Sequence, residues 1–233
     1  MSASWKITAV KLLGDPSAPR VFGRQELITY FQSQNLDVPL RTLLRGLQEW
    51  ENAHLVQRVA QGVYLNSQHK FPIVAPAEAA HFLRKDAVLS LHYVLGNSGV
   101  LNNPSHWVTC VLPSSGNKAP TEVEMDNGLV FRFAYVQDEF FNPQWKQDTL
   151  QQYTQVPTAT PEKALLDLLY LVASPRGSKR WSLPPAHDWD MDYLDRDRLQ
   201  RLAHNLNMEE PLRVFEASLD NGSPRVRLPR RSV

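Results

Sequence analysis

Apolar and polar positions change places in short, well-punctuated blocks along the first seventy residues. Trp5 to Leu13 reads as a short helix that ends at Gly14-Asp15-Pro16. Arg20-Val21-Phe22 reads as a brief extended piece. Leu27, Ile28 and Phe31 form the stripe of a second helix that begins at Gly23 or Arg24 and closes at Ser33. A turn follows over Gln34 to Asp37. Asp37 can cap a third helix, with Pro39 in its first turn, where a missing N–H costs little. That helix is expected to reach about Asn52. His54–Arg58 and Gly62–Asn66 then read as two short strands joined by Val59-Ala60-Gln61. Ser67–Pro72 is a polar linker.

A second block of pattern starts near Ile73. Pro76–Lys85 and Leu89–Leu95 read as helices, the second closed by Asn97-Ser98-Gly99. Trp107–Leu112 is an apolar run that suits a buried strand. Pro113–Pro120 is a loop by composition. Thr121–Met125 and Leu129–Val136 read as strands joined at Asp126-Asn127-Gly128, a strong hairpin signal. Thr160 caps a helix with Pro161 just inside it, running to about Val172, with Ala164, Leu165, Leu168, Leu169 and Val172 as a core stripe. Asp195–Asn205 is a further helix. The expected class is α+β, with a winged helix-turn-helix over 1–70 and a mixed α/β domain over 71–233.

The third helix carries the functional pattern. With Leu40 at 0° and about 100° per residue, Leu43, Leu44, Leu47 and Trp50 fall between about 280° and 40°, which predicts one apolar face. Arg41, Arg45, Gln48 and Asn52 fall between about 80° and 140°, with Thr42 and Glu49 beside them near 190°. Arg, Gln and Asn are the side chains that pair bidentately with guanine and adenine edges in the major groove. The following hairpin supplies Arg58, Gln61 and Gly62 for phosphates or the minor groove. The expected roles are base reading by Arg41, Thr42, Arg45 and Gln48, with Asn52 on the same face, and backbone or minor-groove contact by Arg24, Arg58 and Gln61. A protein-docking use of the same winged helix is the alternative.

Charge and composition sharpen this. The chain has 233 residues and a formal net charge of +1, so any nucleic-acid surface must be local. Residues 1–70 hold 8 Lys/Arg against 5 Asp/Glu, or +3, and the remainder holds 17 against 19, or −2. The one cysteine, Cys110, excludes an internal disulfide and a cysteine-based zinc site, and suits a reducing cytoplasm. Met1–Gly14 lacks a secretory pattern, and no apolar stretch approaches the ~20 residues of a membrane span.

Several segments resemble the AbiE abortive-infection antitoxins. They are Leu47–Arg58 followed by Gln61-Gly62-Val63-Tyr64, then Ala75–Ala80, Leu89–Leu95 and Gly99-Val100-Leu101, and finally Ala159–Tyr170. The similarity runs from about Phe22 to about Asn205. It implies a bacterial regulator of a type IV toxin–antitoxin pair. The winged helix would bind double-stranded operator DNA and repress its own operon. The C-terminal domain would counter a nucleotidyltransferase-fold toxin without necessarily touching it. The Ser174–Asp192 insert and the arginine-rich tail from Pro224 depart from the family pattern. A solitary regulator without a toxin is the alternative.

Candidates for other chemistry are weaker. Gly177-Ser178, nine residues, then Asp188-Trp189-Asp190 matches the spacing of a nucleotidyltransferase signature, but Pro184-Pro185 forbid the helix which that chemistry needs. Asp188, Asp190 and Asp192 imitate a calcium loop, but Tyr193 and Leu199 occupy its glycine and glutamate positions. No catalytic residue, metal site or cofactor is expected. The tail and the Arg176–Lys179–Arg180 cluster could add phosphate contacts.

Overall fold

The computed structural model describes residues 4–70, 76–103, 106–115, 121–124, 129–141, 157–174, 180–220 and 222. The fold is mixed α+β, and the chain divides into two units, Met1–Lys85 with Glu124–Gly128, and Asp86–Val123 with Leu129–Val233.

In the first unit, α1 (Ser4–Leu13) is followed by β1 (Val21–Gly23), α2 (Arg24–Ser33), α3 (Leu40–Asn52), β2 (Val56–Ala60) and β3 (Val63–Asn66). The first helix stops where its sequence says: Asp15 accepts the Ser17 N–H at 2.8 Å and its hydroxyl at 2.6 Å. Those bonds hold the Asp15 carboxyl below its ordinary pKa. Next, α2 and α3 end on one shared device. Asn35 and His54 take left-handed φ of 58° and 56°. The N–H groups of Leu36 and Leu55 then reach back to Phe31 and Trp50 carbonyls, both at 2.8 Å. This satisfies carbonyls that a helix end leaves open and turns an apolar residue back onto the core. His54 therefore closes the helix, and β2 begins at Val56 rather than at His54 as expected.

The start of α3 also differs. The helix begins at Leu40 with Pro39 as its N-cap residue and no side-chain cap, so Asp37 does not cap it. Proline keeps the residue before it extended, so Val38 stays outside the helix and is buried instead. The three strands form an antiparallel sheet in the order β1-β3-β2. Asn66 ends β3 and donates its side-chain amide to the Leu13 carbonyl at 2.8 Å, which ties the sheet to the end of α1. Ala9, Leu13, Phe22, Leu27, Phe31, Leu43, Leu47, Trp50, Val56 and Tyr64 make the core.

After a 3-10 turn (Pro76–Ala79) and α4 (Ala80–Leu83), the second unit opens with β4 (Val88–Leu89) and α5 (Leu91–Asn97). The sequence suggested one helix from Leu89. Instead Leu89 donates to the Pro157 carbonyl and accepts from Ala159, both at 2.8 Å, which holds it extended. The sheet continues with β5 (Trp107–Pro113), β6 (Glu122–Glu124) and β7 (Val130–Val136) in the order β4-β5-β7-β6. β5 and β7 are parallel over seven residue pairs. The Asp126-Asn127-Gly128 turn lies outside the described residues. The short α6 (Asp138–Phe141) precedes α7 (Pro161–Ala173), which Thr160 caps by accepting the Lys163 N–H, as expected. α7 is buried on nearly every side, and its neighbours are α5, α8 (Arg196–Asn205) and α9 (Glu209–Asp220). α9 escaped the sequence reading because Pro211 interrupts its pattern, yet Pro211 sits in the first turn, where proline is tolerated.

Candidate nucleic-acid interface

The core takes a narrower face of α3 than the apolar pattern suggested. Leu43, Gly46, Leu47 and Trp50 are buried. They span about 240° to 340° on the helical wheel. Leu40 and Leu44 are exposed, against the expectation that they join that face. Trp5 covers the other edge of that face. Its indole lies over Gly46 and beside Trp50, 5.8 Å between ring centroids, so α1 occupies the flank that glycine leaves open. Glu51, at about 20°, shares the outer shoulder of the two leucines and is partly exposed.

Opposite the core, Arg41, Arg45, Gln48 and Asn52 are all exposed. They stand within about 60° of one another over three helical turns. Thr42 is partly buried and stands about 60° beyond Arg45, so the structure does not bring it into that arc. Glu49 lies on the same outer flank, where the Lys6 ammonium of α1 pairs with its carboxylate. The arc thus presents guanidinium and amide groups with no carboxylate inside it, and the acid at its border is matched by a lysine.

The hairpin is tighter than expected. β2 runs on to Ala60 through a bulge between Arg58 and Ala60, so Gln61-Gly62 alone form the tip. Gly62 has φ +79°, a left-handed value that favours glycine. A β-carbon built on Gly62 would sit 3.9 Å from Arg24 Nε. The pairing of Gly23 with Val63 explains this closeness, because it sets the first residue of α2 beside the tip. Exposed Arg24 and Gln61 therefore share one edge of the unit. Arg58 is not at the tip. It is in register with Tyr64, which is in register with Phe22, and it is partly buried.

The chain has a fold likeness to a solved structure. No family model matches it. It is similar in structure to the RV2827C protein from Mycobacterium tuberculosis, known from a crystal structure, with a TM-score of 0.55 and 14% identity over 97% of this chain and 84% of that one. At that identity the likeness bears on the fold alone.

Other candidate chemistry finds plain structural roles. Asp190 accepts the Asp192 N–H at 3.2 Å and caps a 3-10 turn. Trp189 packs edge-on against Phe215, 4.8 Å between centroids. Gly177 and Ser178, like Arg176, Lys179 and the tail from residue 223, lie outside the described residues. Arg180 donates to the Thr121 hydroxyl at 2.8 Å. Cys110 is buried in β5, and burial pushes its thiol far above the ordinary range, which removes thiolate reactivity. Among the described residues no three His, Cys, Asp or Glu side chains converge as a metal site. No helix among them is long and apolar enough to cross a membrane.

The sequence reading missed a buried polar cluster in the second unit. Ser90 donates to Asp167 at 2.6 Å, and the Lys163 ammonium pairs with the other oxygen of that carboxylate. Thr109 donates to the Ser90 carbonyl at 2.6 Å and accepts the Tyr93 N–H at 3.0 Å, which caps α5 from the neighbouring strand. Between them sits Leu91 with φ 59°, a costly value for leucine that the surrounding bonds impose. The i, i+4 spacing of Lys163 and Asp167 was visible, but their burial was not. With no exposed group, this cluster holds the fold and offers nothing to a substrate.

Proposed function

We propose that the chain is a DNA-binding transcriptional regulator whose first unit is a winged helix-turn-helix. In this reading α2 and α3 are the helix pair, α3 enters the major groove, and the β2–β3 hairpin is the wing. The observation that carries it is the exposed arc of Arg41, Arg45, Gln48 and Asn52, set opposite a fully buried face. Such side chains supply the forked donors and amides that base edges require. Arg24 and Gln61, together at the hairpin tip, suit contact with the sugar–phosphate backbone. Partly buried Arg58 takes a lesser share.

The test is retention of the promoter fragment upstream of the gene, over competitor DNA, at about 150 mM salt. Specific retention by the wild type, with a loss of about 1–3 kcal/mol in Arg45→Ala, supports the reading. Equal retention of competitor and promoter overturns the sequence-specific reading, and no retention of either leaves the module as a protein-docking one.

The narrower proposal is an autorepressing antitoxin of a type IV pair. It rests on the sequence resemblance to the AbiE antitoxins. Rescue of cells expressing a neighbouring nucleotidyltransferase-fold protein supports it. Unrelieved toxicity favours a solitary regulator.

A further inference from the structure

The two leucines of α3 that the core leaves outside stand immediately before the two arginines of the arc. Leu40 precedes Arg41 and Leu44 precedes Arg45. Leu40 is 51% exposed and Leu44 is 36% exposed. They lie at about 0° and 40°, next to Gln48 at about 80° and Arg41 at about 100°. At a rise of about 1.5 Å per residue, each pair is offset by about 6 Å along the helix. That is close to two base-pair steps of about 3.4 Å each.

A second protein fits this patch poorly. A stable interface covers about 800 Å² on each partner, and two part-exposed leucines supply a small fraction of that. Their border is Arg41, Gln48 and Arg45, and covering those groups with an apolar partner would strip their water without return. Within α3 the acid on the leucine shoulder, Glu51, stands about 10 Å from Leu44 along the axis, and exposed Asp37 lies before the helix, three residues from Leu40. A duplex matches both halves of the surface. Its phosphates and guanine edges suit the arginines, and the one apolar group on major-groove base edges is the thymine 5-methyl.

We infer that Leu40 and Leu44 read thymine methyl groups, so that the preferred duplex carries thymines within one or two base pairs of the guanines contacted by Arg41 and Arg45. This rests on the DNA-binding reading above.

The experiment selects duplexes from a random pool with the full chain, then replaces each thymine of the selected site by deoxyuridine, one at a time. Loss of a methyl contact is expected to weaken binding about four-fold at one or two positions. Leu40→Ala or Leu44→Ala should abolish that loss at its own position and leave the others unchanged. Both side chains are exposed, so melting curves should match the wild type. A selected duplex indifferent to uracil everywhere overturns this inference and leaves DNA binding standing. So does thymine discrimination that persists in both leucine variants, or a selected duplex bound unchanged while Leu44→Ala only dissociates a dimer in sedimentation. A pool that yields no preferred duplex removes the DNA-binding reading, and this inference with it.

Discussion

A β-carbon at Gly46 would fall 2.6 Å from the far edge of the Trp5 indole. The missing side chain at Gly46 therefore lets α1 lie close against α3. Alanine for glycine in a helix interior ordinarily gains about 1 kcal/mol. Here overpacking against a ring already held beside Trp50 costs about 1–3 kcal/mol. Gly46→Ala is expected to destabilise the first unit by about 1 kcal/mol in urea unfolding. In a Trp5→Ala background the same change should become stabilising. An unchanged sign in the double variant would show that the two residues do not meet.

Arg24 and the α3 arginines should separate by their response to salt and sequence. Arg24 stands at the hairpin tip beside Gly62, where the proposed contact is with phosphate. Arg24→Ala is expected to weaken binding alike on all duplexes and to reduce the slope of log affinity against log salt by about 0.9. Arg41→Ala should instead relax the preference at one base pair. Titrations at several salt concentrations on selected and scrambled duplexes check both.

The Lys163–Asp167 pair is buried, and Asp167 also takes the Ser90 hydroxyl. Asp167→Ala leaves an ammonium in the interior without its counter-ion and is expected to cost about 3–5 kcal/mol. Lys163→Met with Asp167→Leu should recover most of that, because neither charge is then stranded. Chemical denaturation of the three proteins tests it, and equal losses in the single and double variants would refute the account.

His92 stacks on Trp181, 6.0 Å between ring centroids. Burial lowers its pKa below the ordinary 6.5, nearby Arg132 adds to this, and a backbone hydrogen bond with Ser182 opposes it. The unfolded chain therefore takes up a proton at His92 before the folded one does. Stability should fall as pH drops below about 6.5 and be indifferent to this residue above it. His92→Gln should flatten that component of the unfolding free energy measured against pH.

Much of the first unit follows from its residues in order. Apolar spacing marks α1, α2 and α3 and the presence of a hairpin, because these depend on neighbours a few positions away, whereas the tight Gln61-Gly62 tip follows from a bulge the pattern does not show. The arc of Arg41, Arg45, Gln48 and Asn52 follows from helical geometry in the same way. The end of α3 near Asn52 was legible, but the role of His54 in closing it was hidden, since a left-handed histidine is chosen by the core's need for Leu55 and not by local preference. The helix α9 was hidden by its own proline.

Tertiary structure decided what each face does. The polar arc was a property of the sequence, but the limits of the buried face were not: Trp5, some forty residues away, fills the space over Gly46 on one edge, and on the other edge Leu40 and Leu44 stay outside the core. The closeness of Arg24 to the hairpin tip came from the Gly23–Val63 register. The roles of Ser90, Thr109 and Asp167 came from elements that meet only in the folded second unit. Periodicity reports which side chains share a face, because that is fixed by the backbone repeat. It does not report what packs against the face, because that depends on contacts between residues far apart in the chain.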